Sequence, residues 1–188
     1  MDRFVILSGC SGGGKSALLE ELRRRGHDVV EEPGRRIVTR ELETGGAALP
    51  WVDSLAFVRQ AMALSLADRE AAAMLSGLVF FDRGLIDAAA GLQHLTGEKV
   101  LDELRHAHRY NRQVFLAPPW PEIYETDRAR RHGFAAAVAE YDRLRAAYPS
   151  LGYTVDILPR IDVAGRADFV LAMLHAGACG RAAGWRPG

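Results

Sequence analysis

The sequence predicts an α/β fold, a three-layer sandwich in which helices cover both faces of a five-stranded parallel sheet. Three observations predict it: short apolar runs recurring along the chain, helical periodicity between them, and a glycine-rich turn directly after the first run. The 188 residues, 48% of them hydrophobic, suit one domain with a sizeable core. That domain is expected over residues 1–175, with a lid near 121–133 and a flexible small-residue tail over 176–188.

"RFVILSG" at Arg3 to Gly9 is an apolar run bounded by a turn, as a buried parallel strand requires. "SALLEELRRRG" follows with Leu18, Leu19 and Leu22 at helical spacing and Gly26 as its stop. "HDVVEEPGR" at His27 to Arg36 reads as a short strand ending at Glu31 and Glu32, because Pro33 cannot continue a central ladder. Pro50 to Gly77 carries helical spacing over a long span, and "LVFFDRG" at Leu78 to Gly84 is a third strand closing on Asp82 and Arg83. "LIDAAAGLQHL" and "KVLDELRHAHRYN" read as helices and Arg112 to Pro119 as a fourth strand. Two helical pieces broken near His132 and Gly133 follow, then a fifth strand at Tyr153 to Pro159 and the helix "DVAGRADFVLAMLHAG".

Charge and cysteine usage remove several function classes. Formal net charge is zero, so the basic footprint of nucleic-acid binding is missing and no nucleic-acid partner is expected. The opening apolar run is too short for a membrane span and lacks a basic leader, so a cytoplasmic protein without a membrane partner is expected. Cys10 and Cys179 stand far apart without zinc-like spacing, which supports neither a disulfide framework nor structural zinc. Cys10 reads as a small filler, and His94, His106, His108, His132 and His175 form no metal-like cluster.

"SGCSGGGKSALLEEL" at Ser8 to Leu22 fits G-x-x-x-x-G-K-[ST], with Gly9 and Gly14 as the spaced glycines, Lys15 the cation and Ser16 the hydroxyl. Such a loop points backbone N–H groups inward around a phosphate, for which Gly12, Gly13 and Gly14 supply the freedom. The helix that follows adds its dipole and unpaired N–H groups. Gly9, Ser11, Gly12, Gly13, Gly14, Lys15, Ser16 and Ala17 are therefore the candidate nucleotide contacts, Lys15 reaching the β and γ phosphates and Ser16 a Mg²⁺ ion. Of 24 basic residues only Lys15 and Lys99 are lysine. A compact ammonium on a thin stem fits inside a ring of amides where a planar guanidinium does not. "LVFFD" has the pattern of four apolar residues and an acid that puts Asp82 beside the metal or its water shell.

In parallel α/β sheets ligands bind at the carboxyl ends of the strands. That gathers the loop, Glu31 and Glu32, Asp82 and Arg83 and the segment after Pro118 around one crevice. Neighbouring strand residues point oppositely, so one of Glu31 and Glu32 faces it.

Through "GCSGGGKS", "EEPGRRIV", "FFDRG", "PPWPEIYETDRARR" and "EYDRLRAAYPSLGYTVDILP", the chain resembles the small P-loop proteins described as AAA-type ATPases. That group is similar to nicotinamide riboside kinases and deoxynucleoside and nucleotide kinases. The resemblance covers most of the chain and implies a P-loop NTPase fold of the nucleoside/nucleotide kinase kind, with ATP as phosphoryl donor and Mg²⁺ as cofactor. Glu32-Pro33 matches the Glu-Pro pair whose glutamate acts as base on the acceptor hydroxyl, and Asp82-Arg83 looks like the acid-Arg pair after the third strand. By resemblance Glu32 orients or deprotonates the acceptor, Asp82 assists Mg²⁺ or the acceptor, and Arg83 neutralises charge on the transferred group. "TDRARR" sits where related kinases carry an arginine-bearing lid, which makes Arg130 and Arg131 candidates for closing over the phosphates, oriented by Asp127. Trp51, Phe57, Arg59 and Gln60 fall in the region that lines the acceptor pocket in nucleoside kinases, and by analogy Arg160 touches the base.

Phosphoryl transfer needs positioning, an acceptor base and positive charge around the equatorial oxygens, and two carboxylates with an arginine opposite a phosphate loop meet those needs. With little sequence after the fifth strand and its helix, the C-terminal helical lid domain of a true AAA+ module is not expected, and no N-K-x-D is present to read guanine. Two readings stand: a small-molecule kinase acting on a nucleoside- or nucleotide-like acceptor, and a nucleotide-dependent regulatory ATPase with slow hydrolysis.

Overall fold

The structure, a computed structural model, describes residues 3–104, 106–124 and 133–182. Its strands are β1 (Phe4–Gly9), β2 (Asp28–Val30), β3 (Val79–Asp82), β4 (Gln113–Ala117) and β5 (Thr154–Ile157). All neighbours are parallel, in the order β2-β3-β1-β4-β5. The helices are α1 (Lys15–Arg24), α2 (Pro33–Thr44), α3 (Ser54–Ala71), α4 (Leu85–Thr96), the short α5 (Val100–Glu103), α6 (Phe134–Ser150) and α7 (Val163–Ala182). The predicted five-stranded α/β sandwich is the fold observed.

Alternation along β1 divides the core in two. Val5 and Leu7 face Leu18 and Leu22 of α1 and Val170 of α7, together with Phe80 and Phe115. Phe4 and Ile6 face the opposite layer, with Phe81, Leu85 and Ala89 of α4, and Leu144 and Tyr148 of α6. Because β1 is central, its carboxyl end emerges between both helical layers, and the glycine-rich loop starts there.

Four elements differ from the sequence reading. The chain after Glu32 forms α2: Pro33 takes the first helical position, where its missing N–H costs nothing, and Gly45 ends the helix in the left-handed region (φ 70°). The predicted helix from Lys99 shrinks to Val100–Glu103, since His108 adopts φ 50° and Asn111 N is drawn onto Phe4 O (2.7 Å) at the start of the sheet. Helix α7 continues past Gly177 to Ala182. The long helix after Pro50 begins only at Ser54, where the Asp53 carboxylate accepts the Ala56 N–H (2.8 Å) as a cap.

Phe80 is fully enclosed between β1, β2 and α1. Phe80→Ala is expected to cost about 3–5 kcal/mol of unfolding free energy, measured as a lower urea midpoint at unchanged slope.

Candidate functional site

Between β1 and α1 the loop closes on itself. Cys10 N donates to Ala117 O (2.8 Å), Gly13 N donates to Cys10 O (3.2 Å), and Lys15 Nζ donates to the same carbonyl (3.0 Å). Positive φ falls at Gly9 (104°), Gly12 (80°) and Gly14 (75°), but not at Gly13. The expectation for Gly13 is thus corrected: its need is room, since a Cβ there would lie 2.9 Å from Ala117 Cβ. Gly12 lies under the Tyr124 ring, which a Cβ would meet at 2.6 Å. Lys15 is buried, while Ser16 and Ala17 open the exposed first turn of α1. Desolvation, reinforced by nearby Arg83, holds the Lys15 pKa below its ordinary value.

Arg83 is the hub of the site. It leaves β3 with φ 64° and donates its N–H to Leu7 O (2.9 Å). Its buried guanidinium meets Glu140 of α6 through both nitrogens (2.9 and 3.0 Å), Glu32 Oε1 through Nε (3.2 Å), Asp87 Oδ1 of α4 (3.5 Å) and Gly9 O of the loop (3.1 Å). Burial alone would lower its pKa, but Glu140, Glu32 and Asp87 outweigh that and hold it well above the ordinary value. Behind it, Asp87 accepts from Ser8 Oγ, from Tyr148 OH (2.6 Å) and from Gly84 N (3.0 Å). Burial raises the Asp87 pKa against the opposing pull of Arg83 and these donors.

A cleft of about 300 Å³ opens beside this cluster. Glu32, Arg83, Asp87 and Glu140 form its polar end, and Val38, Phe57, Val58 and Ala61 belong to its apolar walls. A second cleft of about 550 Å³ lies on the other side of Glu32 and runs past Ser16 and Asp82. Glu32 lines both, between the apolar cleft, which reaches the glycine-rich loop at Ser11, and the cleft that reaches the first turn of α1 at Ser16. Glu31 lines only the second, with its side chain 70% exposed and 3.7 Å from Arg23.

Asp82 is buried, and its Oδ1 has no hydrogen-bond partner. Desolvation and the charge of Glu32 push its pKa up to about 6, against the pull of Lys15 and Arg83. An orphaned buried carboxylate oxygen near the loop hydroxyl suits a cation. Among the described residues no group of three or more His, Cys, Asp or Glu could cage a metal. That donor set matches Mg²⁺, which takes one or two protein ligands and fills its shell with water and phosphate oxygens.

Of the candidates, the fold brings together the loop residues Gly9 and Ser11 to Ala17 with Glu32, Asp82 and Arg83. Phe57 lines the cleft, whereas Trp51, Arg59 and Gln60 do not; Gln60 instead accepts from Arg40 of α2. Arg160 donates to Pro119 O. Arg130, Arg131 and Asp127 lie outside the described residues. Glu140, Asp87 and Arg166 escaped the sequence reading, though each contacts a candidate residue. Arg166 alone left a trace, as a charge inside the apolar stripe of α7.

The family model described as an AAA domain matches residues 4–166. The chain belongs to this AAA-domain family. No curated protein sequence matches it. Among solved structures, deoxyadenosine kinase from M. mycoides, with dCMP and a flexible dCDP bound, superposes with a TM-score of 0.65 at 11% identity, covering 92% of this chain and 99% of that one. Thymidylate kinase from Ehrlichia chaffeensis gives 0.58 at 18% identity, with 91% and 97% covered. Shikimate kinase from Acinetobacter baumannii, in complex with shikimate, gives 0.56 at 14% identity, with 93% and 94% covered. These likenesses establish the fold of the AAA-domain protein as that of P-loop nucleoside and nucleotide kinases.

The raised Asp82 pKa fixes the sign of a pH effect. A carboxyl that binds its proton more tightly when folded loses stability as pH climbs from its ordinary 3.8 through about 6, and carries the full penalty above. Asp82→Asn is therefore expected to be more stable than wild type at pH 7 without metal, by roughly 1–3 kcal/mol. Urea unfolding at a series of pH values should show the gap closing towards pH ~4.

Proposed function

We propose that the protein is a phosphotransferase that uses ATP and Mg²⁺ to phosphorylate a nucleoside- or nucleotide-like small molecule. The observation that carries this reading is the position of Glu32, paired with Arg83 at 3.2 Å at the boundary between the apolar cleft, which reaches the glycine-rich loop at Ser11, and the cleft that runs past Ser16 and Asp82. A carboxylate at that boundary is placed to take a proton from an acceptor hydroxyl lying over the apolar walls. The family match and the kinase likenesses support the same reading.

In this scheme the loop amides and Lys15 hold the donor phosphates. The Ser16 hydroxyl and Asp82 carboxylate would hold Mg²⁺, which supplies neutralising charge between phosphate oxygens. The acceptor oxygen forms its bond to the γ phosphorus as the bond to the β-phosphate oxygen breaks. Its proton passes to Glu32, and ADP leaves. Arg83 keeps Glu32 oriented and adds positive charge near the transferred group. Arg130 and Arg131 are proposed to close over the phosphates as a lid.

Glu32→Gln should leave ATP affinity within about twofold and lower phosphoryl transfer by about 10²-fold or more, the scale of a lost positioned base. Lys15→Ala should abolish nucleotide binding and transfer together. The measurement is acceptor-stimulated ADP release across nucleosides, nucleotides and small alcohols, with product mass as confirmation. Undiminished transfer by Glu32→Gln would sink its role as base. Tight ATP binding without transfer to any acceptor would favour a nucleotide-dependent regulator instead.

A further inference from the structure

Arg166, in the first turn of α7, is 1% exposed and among the largest fully buried side chains. Its guanidinium reaches the glycine-rich loop from behind. Nη2 donates to Gly13 O (3.0 Å) and Nη1 to Gly14 O at a longer 3.4 Å, and the group lies 5.7 Å from the centre of the Trp120 ring. The approach is tight enough that a Cβ on Gly14 would come within 2.7 Å of Nη1.

What sets this cation apart is its lack of a counter-ion. Among the described residues no carboxylate pairs with it, and its Nε has no partner. The acids nearest in sequence are engaged elsewhere: Asp162 accepts from Gly165 N (2.7 Å), and Asp168 pairs with Arg25 (2.6 Å). Desolvation lowers the Arg166 pKa with no opposing carboxylate, whereas Arg83 has three. An arginine stays charged in a protein interior, so a buried one without an anion is costly unless something balances it.

The peptide geometry says from which side that balance comes. Every peptide here is trans, so C=O and N–H of one unit point in opposite directions. Holding Gly13 O and Gly14 O from behind turns the N–H groups of Gly14 and Lys15 the other way, toward the hollow of the loop. It also polarises those peptides in the sense that strengthens them as donors.

We propose that Arg166 belongs to the nucleotide site as a positioning residue: it aims two amides of the loop, and the ligand that balances its charge is a polyphosphate. The inference rests on the reading of the loop as a triphosphate site, not on phosphoryl transfer.

Calorimetric binding of ATP, inorganic triphosphate and adenosine to the full chain tests it, with unliganded Tm measured alongside. Arg166→Met should bind ATP and inorganic triphosphate about tenfold or more weakly, the worth of a charge-assisted hydrogen bond, with adenosine affinity unchanged. Its unliganded Tm should equal or exceed that of wild type, because an uncompensated buried charge has been removed. Arg166→Lys should recover part of the triphosphate affinity. Wild-type triphosphate affinity in Arg166→Met overturns the proposal and leaves Arg166 a packing residue. Should Arg166→Met fail to fold, Arg166→Gln, neutral but able to donate to one carbonyl, decides on the same criterion. Wild-type protein that binds triphosphate no better than Lys15→Ala overturns both this inference and the loop's assignment. Arg166-dependent triphosphate binding with no phosphorylated product supports the inference while removing the kinase reading.

Discussion

The guanidinium of Arg83 joins four separately folded parts of the chain: the glycine-rich loop through Gly9 O, the end of β2 through Glu32, α4 through Asp87 and α6 through Glu140. Its backbone is equally constrained, because φ 64° turns the chain out of β3 and into α4 while the N–H still extends the ladder to Leu7. Glycine would take that conformation without strain but would leave Glu32, Glu140 and Asp87 without their shared cation. A non-glycine residue in the left-handed region persists only where its surroundings over-determine it, at a cost of order 1 kcal/mol or more. Here three carboxylates and a loop carbonyl supply that determination, and the strain marks the point at which the apolar cleft and the glycine-rich loop are locked together.

The charge pattern follows from this lock. Lys15 is buried beside Arg83, and two cations in a low-dielectric pocket oppose each other; Asp82, Glu32 and Glu140 offset that opposition. Asp82 has one oxygen without a hydrogen-bond partner, and burial together with the charge of Glu32 holds its proton more tightly than an ordinary aspartate's. The cluster is balanced around Arg83 and incomplete around Asp82. It therefore presents one position where an added cation gains and several where it does not.

How much of this the sequence disclosed depends on the distance over which each signal acts. The apolar runs of β1, β3 and β4 and the Gly-Lys-Ser loop are local patterns, and local sterics and burial suffice to place them. Helix α2 is also marked locally, with Pro33 at its first position and Gly45 beyond its last, but Glu31-Glu32-Pro33 carries an equally local mark of a strand end. Glu140 had no local mark at all: on α6 it looks like any charge on a half-exposed helix, and only the packing of α6 beside α4 brings it to Arg83. Arg166 falls between these cases. It interrupts the stripe formed by Ala167, Val170 and Leu174 on α7, where an uncompensated charge has no place unless the opposite surface calls for it.

The two buried arginines make opposite bargains with the interior, and the difference divides the site into two halves. Arg83 is compensated within the protein by Glu32, Asp87 and Glu140, so the end of the apolar cleft presents carboxylates and no unpaired guanidinium. Among the described residues Arg166 meets no carboxylate, only the carbonyls of Gly13 and Gly14 and the face of Trp120, so its charge stands behind the loop without an anion. An anion placed in the loop offsets both that charge and the charge of Lys15, whose ammonium among the described residues donates only to Cys10 O. The same fold thus holds one cation as internal architecture and another in reserve, and the boundary between the two runs through Glu32.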